Sequence, residues 1–150
     1  MTIKGPDPAS TAVAQLNAFL RGELSAVATY HDVLPGVRGH DARATLRDCA
    51  LSHERRVRCL RDAIVRLGGT PDDSPGAWGA FAGLDQGARA PGDWAAVSAL
   101  ARGEDRGLDA YRHGFGKLDE RAKELVEQVL LPAQQQTRHD IHELKRLLLS

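Results

Sequence analysis

A short phrase occurs twice in this chain, each time inside a stretch of helical apolar spacing. Arg21-Gly22-Glu23 is followed by Tyr30, and Arg102-Gly103-Glu104 is followed by Tyr111. In each copy the acid and the phenol stand seven positions apart (23 to 30, 104 to 111), which is two turns along one helix face. An acid repeated on an apolar face calls for two related helix pairs, each turning a carboxylate toward a shared interior.

The rest of the chain supplies the helices. Pro6 and Pro8 precede the first, with Asp7, Ser10 or Thr11 as candidate caps. Val13, Leu16, Leu20, Leu24, Val27, His31 and Leu34 follow at helical spacing, and Pro35-Gly36 stops the run. A second helix begins near His40 or Asp41 and carries the stripe Leu46, Ala50, His53, Val57, Leu60, Ile64, Leu67, ending at Gly68-Gly69. Residues 68–92 are rich in Gly and Pro but carry Trp78 and Phe81. A connection of that length with its own aromatics is expected to pack along the bundle and to have room for a short helix. The third helix runs from about Asp93 to Leu118, with Val97, Leu100, Ala101, Leu108, Tyr111, Phe115 and Leu118 on one face. The fourth runs from about Glu120 to Leu149, with Val126, Leu130, Ala133, Thr137, Ile141, Leu144 and Leu148 inward and a kink at Pro132. No strand-like alternation occurs. The expected fold is all-α, an up-down four-helix bundle in one domain over 1–150, with a long crossover between helices two and three.

Composition narrows the function classes. Twenty basic residues balance twenty acidic ones, so no global field draws the chain to nucleic acid or anionic lipid. No apolar run approaches the roughly 18 residues of a membrane span. The first residues lack the apolar core of a secretory signal. Cys49 and Cys59 lie ten apart (49 to 59) on one helix, too far to bridge. Reduced thiols and a cytoplasmic location are the simplest expectation.

The chemistry concentrates on the two acids. Glu104 falls near the middle of its helix's apolar arc and Glu23 lies on the arc of the first. A carboxylate left bare in a bundle costs several kcal/mol against a total stability of roughly 5–15 kcal/mol. A metal, a cationic or hydrogen-bonding partner, or protonation would compensate; Tyr30, Tyr111 or a neighbouring Arg could supply the second. His53 stands at the centre of its helix's stripe with Glu54 beside it, while His31 lies near a helix end, where exposure is expected. His53-Glu54-Arg55-Arg56-Val57 opens like a zinc-protease motif, but Val57 occupies the place of its second histidine. Arg55, Arg56, Arg58 and Arg61 read as a solvated or carboxylate-paired run off the core face. On the fourth helix Thr137 is central, Gln136 and Asp140 flank it, and His139 and His142 point outward.

The doubled RGE…Y phrase, the SHERR…LGG…P stretch, the crossover around Trp78-Gly79 and the LPAQQQTRH segment together resemble a bacterial ferritin-like family of unknown function, over about residues 12–148. The resemblance implies a four-helix bundle related to rubrerythrins and ferritins and brings no established activity. The di-iron pattern of that superfamily is one Glu on helices one and three, with Glu-x-x-His on helices two and four. Glu23 and Glu104 match the single acids. With His53 and His139 taken as the histidines, Ala50 and Gln136 stand where the two further acids belong, so both bridging carboxylates are missing. The resemblance then implies at most one divalent ion (iron, manganese or zinc), held by Glu23, His53 and Glu104 with Glu54 or water. Tyr30, Tyr111, Gln136 and His139 would form the surround.

The leading functional expectation is a non-enzymatic structural, stress-related or partner-binding bundle. The alternative is a metal-storage or redox protein at Glu23, His53 and Glu104. Metal-free acid–base catalysis by the two carboxylates ranks last, for want of a visible substrate pocket. Homodimerisation through outward Gln135, His139 and His142 is expected by analogy.

Overall fold

The computed structural model describes residues 7–76, 81–84 and 92–150, and the described residues are helical apart from short turns and connections. The helices are α1 (Pro8–Val33), α2 (His40–Arg66), α3 (Asp93–Gly114), α4 (Glu120–Leu125) and α5 (Leu131–Leu149). A π-turn over Val126–Leu130 joins α4 to α5, so that the two make one continuous rod. Helices α1 and α2 pack as one hairpin, α3 and α5 as a second, and α1 lies against α3 as α2 lies against α5.

Local chemistry sets the boundaries. Pro8 occupies the first position of α1, where its missing N–H costs nothing, and Asp7 precedes it without a side-chain capping bond. Helix α2 ends in a Schellman turn. Gly68 takes φ +80°, its N–H reaches Val65 O, and the N–H of Gly69 reaches Ile64 O, both at 2.9 Å. Asp119 caps α4 by accepting from the N–H of Ala122 at 2.9 Å. Pro132 follows the π-turn: it has no N–H to offer the preceding turn, and the N–H of Leu131 reaches back five residues to Val126 O.

Most of the expected stripes are buried. On α1 the inward face is rotated: Leu16, Phe19, Leu20, Glu23, Ala26, Tyr30 and Val33 are buried, while Val13, Leu24 and Val27 are half-buried and His31 is exposed. The face turns about Glu23 and Tyr30, which must reach the interior to be satisfied.

The crossover climbs α1. Asn17 donates to Thr70 O at 3.0 Å and accepts from the N–H of Asp72 at 2.9 Å. Arg21 pairs with Asp72 at 2.6 Å, and the N–H of Phe81 donates to Ser25 Oγ at 3.3 Å. Phe81 is buried against the rings of Tyr30 and His53. It fits because Gly103 lies beneath it; a Cβ there would come within 2.2 Å of the ring. Trp78 lies outside the described residues, and those described in the crossover form turns and no helix.

The apolar core forms two clusters. One contains Tyr30, Leu46, Phe81, Val97, Leu100 and Ile141; the other contains Leu16, Leu20, Leu60, Ile64, Val126 and Leu130. Each long helix passes from one cluster to the other at a buried polar residue: Glu23 on α1, His53 and Arg56 on α2, Glu104 on α3, Gln134 and Thr137 on α5. Those six side chains form a polar layer across the bundle.

Candidate functional site: a buried ionic layer

Helices α1 and α3 run antiparallel, so the repeated phrase pairs with itself crosswise. The Tyr111 hydroxyl donates to Glu23 Oε1 at 2.6 Å, and the Tyr30 hydroxyl donates to Glu104 Oε1 at 2.8 Å. His53 stands between the two acids. Its Nδ1 lies 2.5 Å from Glu23 Oε2 and its Nε2 lies 2.7 Å from Glu104 Oε1. A carboxylate accepts and does not donate, so both ring nitrogens carry protons and His53 is an imidazolium.

Arg56, one turn further along α2, is 1% exposed. It donates to Glu23 Oε1 at 3.3 Å, to Thr137 Oγ1 at 3.1 Å and to Gln134 Oε1. Toward Ser52 it gives Nη2 to the hydroxyl at 3.2 Å and Nε to the carbonyl at 3.3 Å. From α5, Gln134 Nε2 donates to Glu104 Oε2 and to the Glu104 carbonyl, both at 2.8 Å, and Thr137 donates to Glu104 Oε2 at 3.0 Å. Gln134 comes this close because Gly107 has no side chain; a Cβ there would meet its Nε2 at 2.8 Å.

The electrostatics follow from that geometry. Burial alone would raise the Glu23 pKa, but the charges of Arg56 and His53 outweigh it and hold the group down to about 2. Glu104 is likewise buried, and His53 above all keeps it below the usual carboxylate range. Burial works against a charged His53, but Glu104 and Glu23 overcome it and raise its pKa. Two carboxylates and two cations leave the layer with no net charge. Every acidic oxygen has a partner, and Ser98 Oγ is the one buried side-chain polar atom lacking one among the described residues.

This arrangement sorts the expected residues. Glu23, His53 and Glu104 come together, with Tyr30 and Tyr111 bonded to the acids as expected. Glu54 does not join them: it turns outward to His31 at 2.9 Å. Gln136 bonds Asp140 on the surface and His139 is exposed, so neither surrounds the site. His142 pairs with Asp105 at 2.8 Å within the chain. Arg55 and Arg58 are exposed as expected. Arg56 is the correction: it points into the layer, although its charge had placed it off the core face. Gln134 and Arg56 were the residues missed.

A signal for both was present. The phrase repeats at a spacing of 81 residues (21 to 102). The same spacing carries His53 to Gln134 and Arg56 to Thr137, the four side chains that α2 and α5 send into the layer. The inward i,i+3 pairs are therefore 53/56 and 134/137, and the pairs 50/53 and 136/139 expected from the sequence are out of register. Ala50 belongs to the apolar cluster.

No protein-family model and no curated protein matches the sequence. Among solved structures the chain is similar to a ferritin-like, diiron-carboxylate protein from Bacillus anthracis. The TM-score is 0.70 with 17% identity, over 94% of this chain and 99% of that one. The fold is ferritin-like. At that identity the likeness is one of architecture, and the site must be judged on its own residues.

The fit to a metal centre fails on those residues. The fold's di-metal pattern needs four acids and two histidines. Here α2 offers an imidazolium and a guanidinium and α5 offers an amide and a hydroxyl. Among the described residues no group of three His, Cys, Asp or Glu side chains is placed to hold a metal ion. Both nitrogens of His53 are spent on the carboxylates, and a metal ion beside Arg56 would meet a like charge. Metal-free acid–base catalysis by the two carboxylates fares no better. A cleft of about 350 Å³ between α1 and α3 does reach Glu23, His53 and Gln134. Yet acid–base work wants two groups with separated pKa values, and both acids here are held in the ionised form.

Proposed function

We propose that this chain is a ferritin-like bundle working without a metal, as a structural or partner-binding module and not as an enzyme. The observation that carries this is His53, bonded at both ring nitrogens to acids from different helices. A divalent ion would have to take the place of those protons and lie beside Arg56. The layer is already neutral, so it has no charge left to repay dehydration of such an ion.

Elemental analysis of protein purified without chelator tests the reading. Iron, manganese and zinc are each expected far below one per chain, and nitrogen NMR at about pH 6 is expected to show both His53 ring nitrogens protonated. Stoichiometric metal that disappears in a Glu104→Gln variant would overturn it in favour of the storage or redox alternative at Glu23, His53 and Glu104. Self-association through α5 belongs to the same proposal, with Gln135 and His139 exposed there and His142 engaged with Asp105. Light scattering that reports a monomer across micromolar concentrations would remove it. No helix among the described residues is long and apolar enough to cross a membrane.

A further inference from the structure

The register of the layer goes further than its neutrality. Glu23 and Glu104, Tyr30 and Tyr111, His53 and Gln134, Arg56 and Thr137 are four pairs at one common spacing (23 to 104, 30 to 111, 53 to 134, 56 to 137). Each pair occupies equivalent places in the two hairpins, and the hydroxyl bonds cross from one hairpin to the other. A common spacing survives the crossover on one side and the π-turn on the other, so the two hairpins are built as copies about a shared centre. At that centre each copy presents one acid from its first helix and an i,i+3 pair from its second. This is the side-chain layout that holds two metal ions in ferritin-like bundles.

We infer that positions 53/56 and 134/137 are the two halves of one duplicated ligand frame, in which the Arg56 guanidinium and the His53 imidazolium replace two divalent cations. The charge balance supports this. A frame of four carboxylates around two divalent ions is neutral. Taking carboxylates from positions 53 and 134 leaves two, and two single positive charges neutralise them. The hydrogen bonds agree as well. Arg56 reaches from α2 to α1 and to both α5 positions, and His53 joins α1 to α3. Between them the two cations connect all four rods, as bridging metals would. Gln134 keeps the shape of a glutamate ligand without its charge, and Thr137 sets a short hydroxyl where the frame has a ligating ring.

The inference rests on the proposed metal-free reading, and its test separates the two. His53→Glu, Arg56→His, Gln134→Glu and Thr137→His are introduced together in the full chain. Wild type and variant are dialysed against cobalt(II) at about pH 7, where histidine is largely neutral and free to ligate. Stoichiometry, visible absorption of protein-bound cobalt and thermal melting are the readouts. The variant is expected to retain two cobalt ions per chain, to absorb in the visible, and to melt at least about 5 °C higher with cobalt than without. A second variant, His53→Glu with Arg56→His, leaves α5 untouched and is expected to retain one ion. The control Ala50→Glu with Gln136→Glu, which fits the other register to His53 and His139, is expected to retain none.

A folded fourfold variant that retains no more cobalt than wild type overturns the inference, as does retention by the control equal to the variant. If the fourfold variant does not fold even in cobalt, the double variant decides: one bound ion supports the frame, and no binding or no folding overturns it. Stoichiometric metal in wild type would instead overturn the proposed function.

Discussion

Arg56 shows what a single residue contributes here. Among the described residues its guanidinium is the one group that touches Glu23, Gln134 and Thr137 together, so its removal strands acceptors that are themselves buried. Replacing one partner of a buried pair costs about 3–5 kcal/mol, whereas exposed substitutions stay within about 0.5 kcal/mol. Arg56→Met is therefore expected to lower stability to urea by that larger amount, and its exposed neighbour Arg55→Met by almost nothing. Equal effects at the two positions would show that the buried cation does not hold the acids. In a Glu23→Gln background the cost of Arg56→Met should shrink, because one stranded charge is already gone. The same residue marks the limit of reading from sequence. Glu23, Glu104 and His53 interrupt apolar stripes and declare themselves, but Arg56 sits in a run of four arginines that reads alike as solvated or carboxylate-paired and as lying off the core face. Its burial is set by the partners that face it from α1 and α5, which no local pattern displays.

At the level of elements, the close approaches are made by glycines. Phe81 packs on α3 only because Gly103 has no side chain, and a Cβ there would lie 2.2 Å from two ring carbons. Overpacking of that kind costs about 1–3 kcal/mol, so Gly103→Ala is expected to destabilise by that amount and to loosen the crossover, read as faster proteolysis there. Gly116 follows α3, and a Cβ added to it would meet nothing within 4 Å. Gly116→Ala is therefore expected to be neutral to slightly stabilising. Equal unfolding midpoints for the two variants would remove Phe81 as the wedge that fixes the crossover. Helix number, the first hairpin, the Gly68-Gly69 stop and the α3 start were legible because periodicity and caps are local signals. The fourth rod was less so. Pro132 announces a disturbance, but the five-residue turn before it shifts the helical phase. Helical spacing already set Thr137 at the centre and His139 outward, as found; it was fitting a Glu-x-x-His pattern to His139 that favoured Gln136 and His139 over Gln134 and Thr137. The doubled spacing, counted beyond Tyr111, would have recovered the register without any geometry.

For the molecule as a whole, the ionic layer predicts how stability follows pH. His53 is faced by Glu23 from α1 and Glu104 from α3, with Arg56 on its own helix and Tyr30 and Tyr111 bonded to the acids. The folded pKa of Glu23 is depressed from 4.5 to about 2, so its contribution is complete above the unfolded value and is lost as pH falls from about 4.5 toward 2. At about 1.4 kcal/mol per unit this is on the order of 3 kcal/mol, and Glu104 shifts in the same direction. His53 moves the other way. Its folded pKa is raised above 6.5, so its contribution is complete below 6.5 and fades as pH rises through the folded value. Between the two losses lies a window near about pH 5–6 where both acids and the imidazolium are charged. The urea midpoint is expected to peak there, to fall on the acid side below about pH 4.5, and to fall more gently above neutrality. His53→Gln should be less stable within the window and should lose most of the alkaline decline, since an amide has no proton to give up. The pairs His31–Glu54 and His142–Asp105 lie at the surface, where such pairs carry only about 0–1 kcal/mol each. A wild-type midpoint that stays flat from about pH 5.5 to 9 would mean that His53 is neutral in the folded protein. It could then donate to only one of the two acids, and the four rods would have to be held together by Arg56 and the apolar clusters alone.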